Sequence, residues 1–210
     1  MSKELVKAIV ELNRDEAFNM VKRRIEKGEN PLHILEECRQ GMTLVGERFQ
    51  KGEYFLAELM LSAEIFKRVM GILDPYMAKA HPQKPRAKVV VATLRGDIHD
   101  LGKNLFAALL KAQGFEVHDL GVNVEPALLV EKVKEVKPEF VGFSALITTV
   151  FASMKETSEL LEKAGLRNRF KLMVGGGITN TMVKDYIRAD FQTQDAMEGV
   201  AYCMKSIGGK

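Results

Sequence analysis

Asp97 and His99 stand one residue apart in the run Arg95-Gly96-Asp97-Ile98-His99-Asp100-Leu101-Gly102-Lys103-Asn104. An Asp-x-His pair has a definite chemistry. The carboxylate takes a hydrogen bond from one imidazole nitrogen and fixes the tautomer, leaving the other nitrogen free to bind a metal. Gly102 adds a position without a Cβ, where backbone and ligand can approach closely. A short apolar stretch of β type, Val89-Val90-Val91-Ala92-Thr93, precedes the run, and an amphipathic stretch, Leu105-Phe106-Ala107-Ala108-Leu109-Leu110, follows it. Strand, polar loop and helix in that order put Asp97 and His99 at the carboxyl end of a parallel strand, the edge where open α/β sheets bind ligands.

Two further loops must share that edge. One is Gly142-Phe143-Ser144-Ala145-Leu146-Ile147-Thr148-Thr149 and the other Gly175-Gly176-Gly177-Ile178-Thr179. Small, hydroxylated and glycine-rich residues at three strand ends make a crevice with little side-chain bulk, suited to a long, slender ligand laid against backbone. Other chemistries fit less well. A zinc or two-metal site needs three or more ligands, and His33, His81 and His118 fall in a helix, a linker and a strand. The dinucleotide fingerprint Gly-x-Gly-x-x-Gly is missing after the first strand. Ser144 has no histidine placed to make it a nucleophile. The three glycines also fit a plain tight turn between strand and helix.

The elements that position these loops differ between the two parts of the chain. Residues 1–79 hold no β-type run and show helical periodicity throughout, as in Leu5, Ile9 and Leu12 or Ile65, Val69, Ile72 and Leu73. Gly28-Glu29-Asn30-Pro31 and Gly52-Glu53 interrupt it with stop signals. Four antiparallel helices in a small bundle are expected. Residues 80–86 are polar, contain Pro82 and Pro85, and read as a linker. From residue 87 onward, strand-like runs at 88–93, 116–120, 139–143 and 171–175 alternate with helical runs at 103–113, 125–137, 151–164, 180–188 and 194–206, with a weak fifth strand near Asp190-Phe191. Alternation of this kind predicts a parallel sheet with helices on both faces.

Composition bounds the partners. At 46% hydrophobic and 28% charged residues the chain is an ordinary globular one. A net charge of +3, with basic and acidic residues interleaved, gives no footprint for nucleic acid. The longest nearly apolar run, from Phe140 to Phe151, is too short to span a bilayer. The start, Met1-Ser2-Lys3-Glu4, lacks the pattern of a signal peptide, so a cytoplasmic location is expected. Cys38 and Cys203 read as two reduced thiols.

Taken together, Asp97-Ile98-His99-Asp100-Leu101-Gly102, then Ser144-Ala145-Leu146, then Gly175-Gly176 resemble the motif of the corrinoid (cobalamin-binding) proteins of methyltransferase systems, a group similar to the cobalamin-binding region of methionine synthase. Gly52-Glu53-Tyr54-Phe55-Leu56-Ala57-Glu58-Leu59 resembles the start of that family's last cap helix, so the resemblance covers nearly the whole chain. It implies an N-terminal four-helix cap (1–79), a linker (80–86) and a flavodoxin-like (Rossmann-like), doubly wound cobalamin-binding α/β domain (87–210). The implied cofactor is cobalamin or a related corrinoid, in its methylcobalamin and cob(I)alamin forms. His99 would be the lower ligand of cobalt, tuned by Asp97. Asp100, Gly102, Ser144, Leu146, Thr148, Gly175 and Gly176 would contact the cofactor and its displaced nucleotide tail, and Phe55 and Leu56, with Met60, would shield the upper face. Methionine synthase extends its Asp-His pair with a serine six positions after the motif serine. Here Val150 stands there, after Thr148 and Thr149.

The implied function is that of a methyl carrier, itself a non-catalytic subunit. A substrate-specific methyltransferase would load it from methanol, a methylamine or an aryl methyl ether. A second methyltransferase would unload it to tetrahydrofolate or a thiol such as coenzyme M, and a reductive activase would be a third partner. The cobalamin-binding subunit of an adenosylcobalamin-dependent mutase shares the motif, but is expected without a four-helix cap. A cobalamin-sensing regulator is expected to carry a DNA-binding module ahead of the bundle, for which residues 1–15 leave no room. A flavodoxin-like phosphoryl-accepting domain would bind no corrinoid.

Overall fold

The computed structural model describes residues 3–77 and 84–208. Most of the expected linker, residues 80–83 with His81, lies outside them. The chain divides into two compact units, Met1–Lys84 and Pro85–Lys210.

Among its described residues the first unit holds α1 (Lys3–Val10), α2 (Arg14–Glu26), α3 (Pro31–Gln50) and α4 (Leu56–Met77). Local chemistry sets their starts. Asn13 caps α2 by accepting from the Glu16 N–H, and Asn30 caps α3 by accepting from the Leu32 N–H, with Pro31 in the first turn where its missing donor costs nothing. At α4 the Glu58 carboxylate reaches back to the Phe55 N–H at 2.9 Å, the return half of a capping box. Leu5, Ile9, Val21, Ile34, Cys38, Val45, Ile65, Val69 and Leu73 are fully buried and form the bundle core. Helices α1 and α3 meet at Gly41, where a Cβ would fall 2.7 Å from the Ile9 side chain. Arg24 ties α2 to α3 by donating to Glu37 at 2.7 and 3.0 Å and to Glu29 at 2.6 and 2.7 Å.

The second unit is a parallel sheet in the order β2-β1-β3-β4-β5. Its strands are β1 (Lys88–Thr93), β2 (Glu116–Asp119), β3 (Phe140–Ser144), β4 (Lys171–Gly175) and β5 (Phe191–Thr193). Between them run α5 (Leu101–Ala112), α6 (Pro126–Val136), α7 (Val150–Lys163) and α8 (Thr181–Tyr186), and α9 (Ala196–Ile207) follows. The parallel sheet expected from the alternation forms, in the flavodoxin-like arrangement that the resemblance implies. The weak fifth strand forms, one residue beyond its expected position. Helix α5 begins two residues earlier than its apolar spacing suggests, because Leu101 and Gly102 are exposed and add nothing to the buried stripe.

Strands β1, β3 and β4 are buried on both faces, as continuous apolar runs in parallel sheets must be. One face packs on α6 and α7 through Leu129, Val133, Met154 and Leu161. Helices α5 and α9 pack against each other, and a Cβ at Gly199 would lie 3.0 Å from the Phe106 ring. The register sets Thr93 beside Ser144, Ser144 beside Gly175, and Gly175 beside Thr193, in one row at the carboxyl edge. Successive connections turn in opposite directions on either side of β1, so the crevice of the fold opens between the carboxyl ends of β1 and β3.

Candidate functional site

The loop after β1 carries Asp97 and His99 into that crevice. Gly96 turns the chain with φ +95°, a conformation that a side chain disfavours. Asp97 is fully buried and its carboxylate is saturated with donors. Oδ1 accepts from the His99 backbone N–H at 2.9 Å and from the ring Nδ1–H at 2.7 Å. Oδ2 accepts from the Leu146 N–H at 2.8 Å and, more weakly, from the Ile147 N–H at 3.4 Å. Burial alone would raise the Asp97 pKa. The N–H groups of Leu146 and His99, the His99 ring and the Ile147 N–H outweigh it and hold the carboxyl below its ordinary value. The acid is therefore an anion that only accepts, so the neutral ring carries its proton on Nδ1 and leaves the Nε2 lone pair open. The His99 side chain is 48% exposed, and no described residue binds Nε2.

Around this pair lie apolar side chains that the unit does not bury. Ile98, Leu146 and Ile147, on the loops that follow β1 and β3, and Leu101, at the start of α5, are all exposed. Asp100 occupies the N-cap position of α5 without bonding its backbone, and accepts instead from Asn104 at 2.8 Å. Ser144 is half-buried at the end of β3, and its hydroxyl has no partner among the described residues. Thr148 is exposed. Val150, in the place of the relay serine, is fully buried and adds nothing to the Asp97–His99 pair.

The glycines separate into two kinds. Gly176 has φ +113°, and a Cβ there would lie 2.0 Å from the Ala145 carbonyl oxygen, so the protein's own packing demands it. The tight-turn reading thus accounts for Gly176. A Cβ at Gly175 would meet the Thr193 carbonyl at 3.2 Å, a milder conflict. Gly102 is different: no atom lies within 4 Å of the place its Cβ would take, in a helical turn where glycine costs stability. The space beside Gly102 is open.

Phe55 and Leu56, at the start of α4, are 70% and 53% exposed, so neither is a bundle-core residue. Met60 is half-buried.

Several contacts at the edge escape sequence reasoning. The Thr93 hydroxyl donates to the His99 carbonyl at 2.9 Å. Asn123, in the loop after β2, bonds the loop of Asp97 twice. Lys103 is buried, with Nζ 2.6 and 2.7 Å from the Asp119 carboxylate and 2.7 Å from Asn104 Oδ1. Gln192 and Gln194 both donate to the Thr179 carbonyl. Long polar side chains rarely announce burial in a sequence.

The pair offers one nitrogen ligand. Among the described residues no group of three or more His, Cys, Asp or Glu side chains is placed to hold a metal ion. A single imidazole suits a metal that arrives with its other positions filled, as in a macrocycle. The anchored tautomer, the open Nε2, the uncovered apolar rim and the space at Gly102 all fit such a group.

Comparison with known proteins bears directly on this. Residues 87–201 match the B12 binding domain, and residues 1–74 match a second B12 binding domain family. The chain belongs to the cobalamin-binding corrinoid proteins. Its cofactor is a cobalamin or related corrinoid. It is 36% identical over 208 residues to dimethylamine corrinoid protein 2 of Methanosarcina acetivorans, covering 99% of this chain and 96% of that one. It is also 36% identical to trimethylamine corrinoid protein 2 of Methanosarcina mazei, over 92% of this chain and 90% of the relative. Among solved structures, the methanol:cobalamin methyltransferase complex MtaBC of Methanosarcina barkeri superposes with a TM-score of 0.83 at 28% identity, covering 99% of this chain and 79% of that one. A cobalamin-binding protein from Desulfitobacterium hafniense superposes with a TM-score of 0.71 at 38% identity, with 96% of each chain covered. Among the described residues no helix is long and apolar enough to cross a membrane.

Proposed function

We propose that this corrinoid protein is a methyl carrier, loaded by a substrate-specific methyltransferase and unloaded by a second one. When bound, the corrinoid supplies a cobalt centre that takes up a methyl group and later gives it up. The observation that carries the reading is the Asp97–His99 pair: a buried anion that orients a half-exposed imidazole with its Nε2 lone pair unused. His99 would hold the cobalt through its open Nε2. Asp97 holds the ring's tautomer and direction, and stabilises a proton on Nδ1 when the ring is free. Asp100, Gly102, Ser144, Leu146, Thr148, Gly175 and Gly176 would contact the corrinoid and its nucleotide tail. Leu146 contributes both an apolar side chain and the backbone donor that keeps Asp97 ionised.

The helical part, residues 1–79, acts as the cap. Its Phe55 and Leu56, both exposed, would be the side chains that shield the corrinoid from water and oxidant. Dimethylamine and trimethylamine name the corrinoid proteins that this chain resembles, and methanol names a structural neighbour, so a small methylated compound is the donor class. Tetrahydrofolate or a thiol is the acceptor. A reductive activase is the third partner, since a reduced metal centre needs rescue after stray oxidation. A reducing, cytoplasmic compartment suits that chemistry and the buried free thiols Cys38 and Cys203.

The test is reconstitution with hydroxocobalamin. The protein should bind one equivalent, His99→Ala should lose the imidazole-ligand signature while still binding, and the reduced carrier should accept methyl groups when paired with a methylamine or methanol methyltransferase. A protein that takes up no corrinoid, or whose cobalt environment is the same in His99→Ala, would refute it.

A further inference from the structure

The motif names Asp97 and His99 but not what holds their loop in place. Residues 96–99 are pinned on three sides. Toward β3, the Asp97 carboxylate takes the Leu146 and Ile147 N–H groups. Toward β2, Asn123 makes two bonds: its Oδ1 accepts from the Gly96 N–H at 3.0 Å, and its own N–H donates to the Asp97 carbonyl at 3.0 Å. Beneath, the fully buried Thr93 donates its hydroxyl to the His99 carbonyl at 2.9 Å. Asn123 adopts φ +52°, a left-handed conformation that asparagine tolerates better than most residues and that lets its side chain and its amide grip two adjacent residues, Gly96 and Asp97. Neighbouring bonds make the two loops one body: Val124 N–H to the Thr93 carbonyl at 3.1 Å, Arg95 N–H to the Val124 carbonyl at 2.8 Å, and Thr93 N–H to the Gly121 carbonyl at 3.0 Å.

We propose that Asn123 and Thr93 are positioning residues for His99, which fix the peptides on either side of it and so preset the direction of Nε2 before any cofactor binds. The inference rests on His99 being the lower cobalt ligand. A ligand aimed in advance loses less conformational entropy on binding. Without the two contacts His99 keeps its tautomer through Asp97 but its backbone wanders, and ligation becomes weaker without the chain unfolding. Neither residue hydrogen-bonds the His99 ring or the Asp97 carboxylate, which distinguishes this role from that of Asp97.

Substitutions separate the groups cleanly. Asn123→Gly keeps the left-handed backbone and its N–H but deletes Oδ1, while Asn123→Asp restores an acceptor. Thr93→Val deletes the hydroxyl at nearly constant volume, and Thr93→Ser restores it. Full-length protein containing ¹⁵N-histidine is loaded with hydroxocobalamin and reduced to cobalt(II). Electron paramagnetic resonance then distinguishes the ¹⁵N of His99 from the ¹⁴N of added free imidazole, and the imidazole concentration that replaces half of the His99 signal measures how well His99 is aimed. Losing one such bond should lower that concentration by about two- to tenfold in Asn123→Gly and in Thr93→Val. Asn123→Asp and Thr93→Ser should stay within about twofold of the parent. In the cofactor-free protein, Asn123→Gly should also speed hydrogen exchange at the Gly96 amide. Should Asn123→Gly and Thr93→Val keep the parent's midpoint, with or without a drop in melting temperature, the proposal is overturned. A parent protein with no ¹⁵N signal, indistinguishable from His99→Ala, instead overturns the ligation reading on which it rests.

Discussion

Asp97→Asn is the sharpest test of how the site is built, because it keeps the side-chain volume and removes only the charge. The carboxylate accepts from the backbone and ring of His99 on one oxygen and from Leu146 and Ile147 on the other. An amide has one oxygen and one NH₂, so one of those two sides must end up facing a donor. Turned toward Leu146, the NH₂ would oppose a 2.8 Å backbone donor. Turned toward His99, it opposes a backbone N–H beside a ring that is 48% exposed, where water can substitute, and it can donate to Nδ1 if the ring moves its proton to Nε2. The second orientation strands less, so it should prevail. One stranded donor costs about 1–3 kcal/mol, and the 3.4 Å bond to Ile147 is too long to add much. At roughly 2–4 °C per kcal/mol for a chain of this size, the melting midpoint should fall by about 2–12 °C.

The decisive assay is ¹⁵N NMR of histidine-labelled, cofactor-free protein at a pH where the ring is neutral. The parent should show a protonated Nδ1 and a bare Nε2. Asp97→Asn should invert that pattern, putting a proton on Nε2, the nitrogen proposed to bind cobalt. On loading with cobalamin it should therefore lose the His99 signature even though the histidine is intact. A parent ring protonated at Nε2, or a variant with the parent's tautomer and an unchanged melting midpoint, would refute the reasoning.

Four other outcomes follow from the geometry. Gly176→Ala should destabilise the protein by roughly 2–5 kcal/mol in denaturant unfolding, since its Cβ would sit 2.0 Å from the Ala145 carbonyl at φ +113°. Gly102→Ala should unfold no more easily than the parent, and up to about 1 kcal/mol less easily, yet take up cobalamin more weakly by equilibrium titration, since the space it fills is open in the protein alone. Arg24→Gln should cost about 3–5 kcal/mol by stranding the buried Glu37 carboxylate, whereas Arg24→Met with Glu37→Leu should cost far less. Glu29 is hydrogen-bonded by Arg24, which holds its carboxyl below the ordinary 4.5; its contribution is therefore complete above that value and lost as pH falls through the lower folded value, so Glu29→Gln should flatten the acid limb of stability against pH.

Much of the architecture was legible because it rests on periodicity. Alternating apolar runs announced the parallel sheet, and the order strand, polar loop, helix placed Asp97 and His99 at its carboxyl edge. Spacing alone also paired Asp97 with His99, because residues two apart can close a local turn through a carboxylate. What stayed hidden was every contact made by backbone groups or by residues distant in sequence. The Leu146 N–H carries no residue-type signal, since every residue but proline offers one. Asn123 looked like one more polar loop residue, and its grip on Gly96 depends on β2 lying beside β1. Lys103 reads as a solvated helix charge until Asp119 is brought to it. Gly176 and Gly102 look alike on paper, and only the neighbouring atoms separate a glycine that packing requires from one that packing leaves open.

That contrast bears on how the site divides its labour. Groups that must never change state are buried and saturated: Asp97 with its four donors, Thr93 beneath His99, Gly176 against Ala145. Groups free to meet a ligand are left partly uncovered on that frame: the His99 ring, the Ser144 hydroxyl, the rim of Ile98, Leu101 and Leu146, and the gap at Gly102. A cofactor with its own metal and macrocycle needs no catalytic acid from the protein. The proposed role asks for a rigid seat with one aimed nitrogen, and a saturated frame carrying a half-exposed imidazole meets that need.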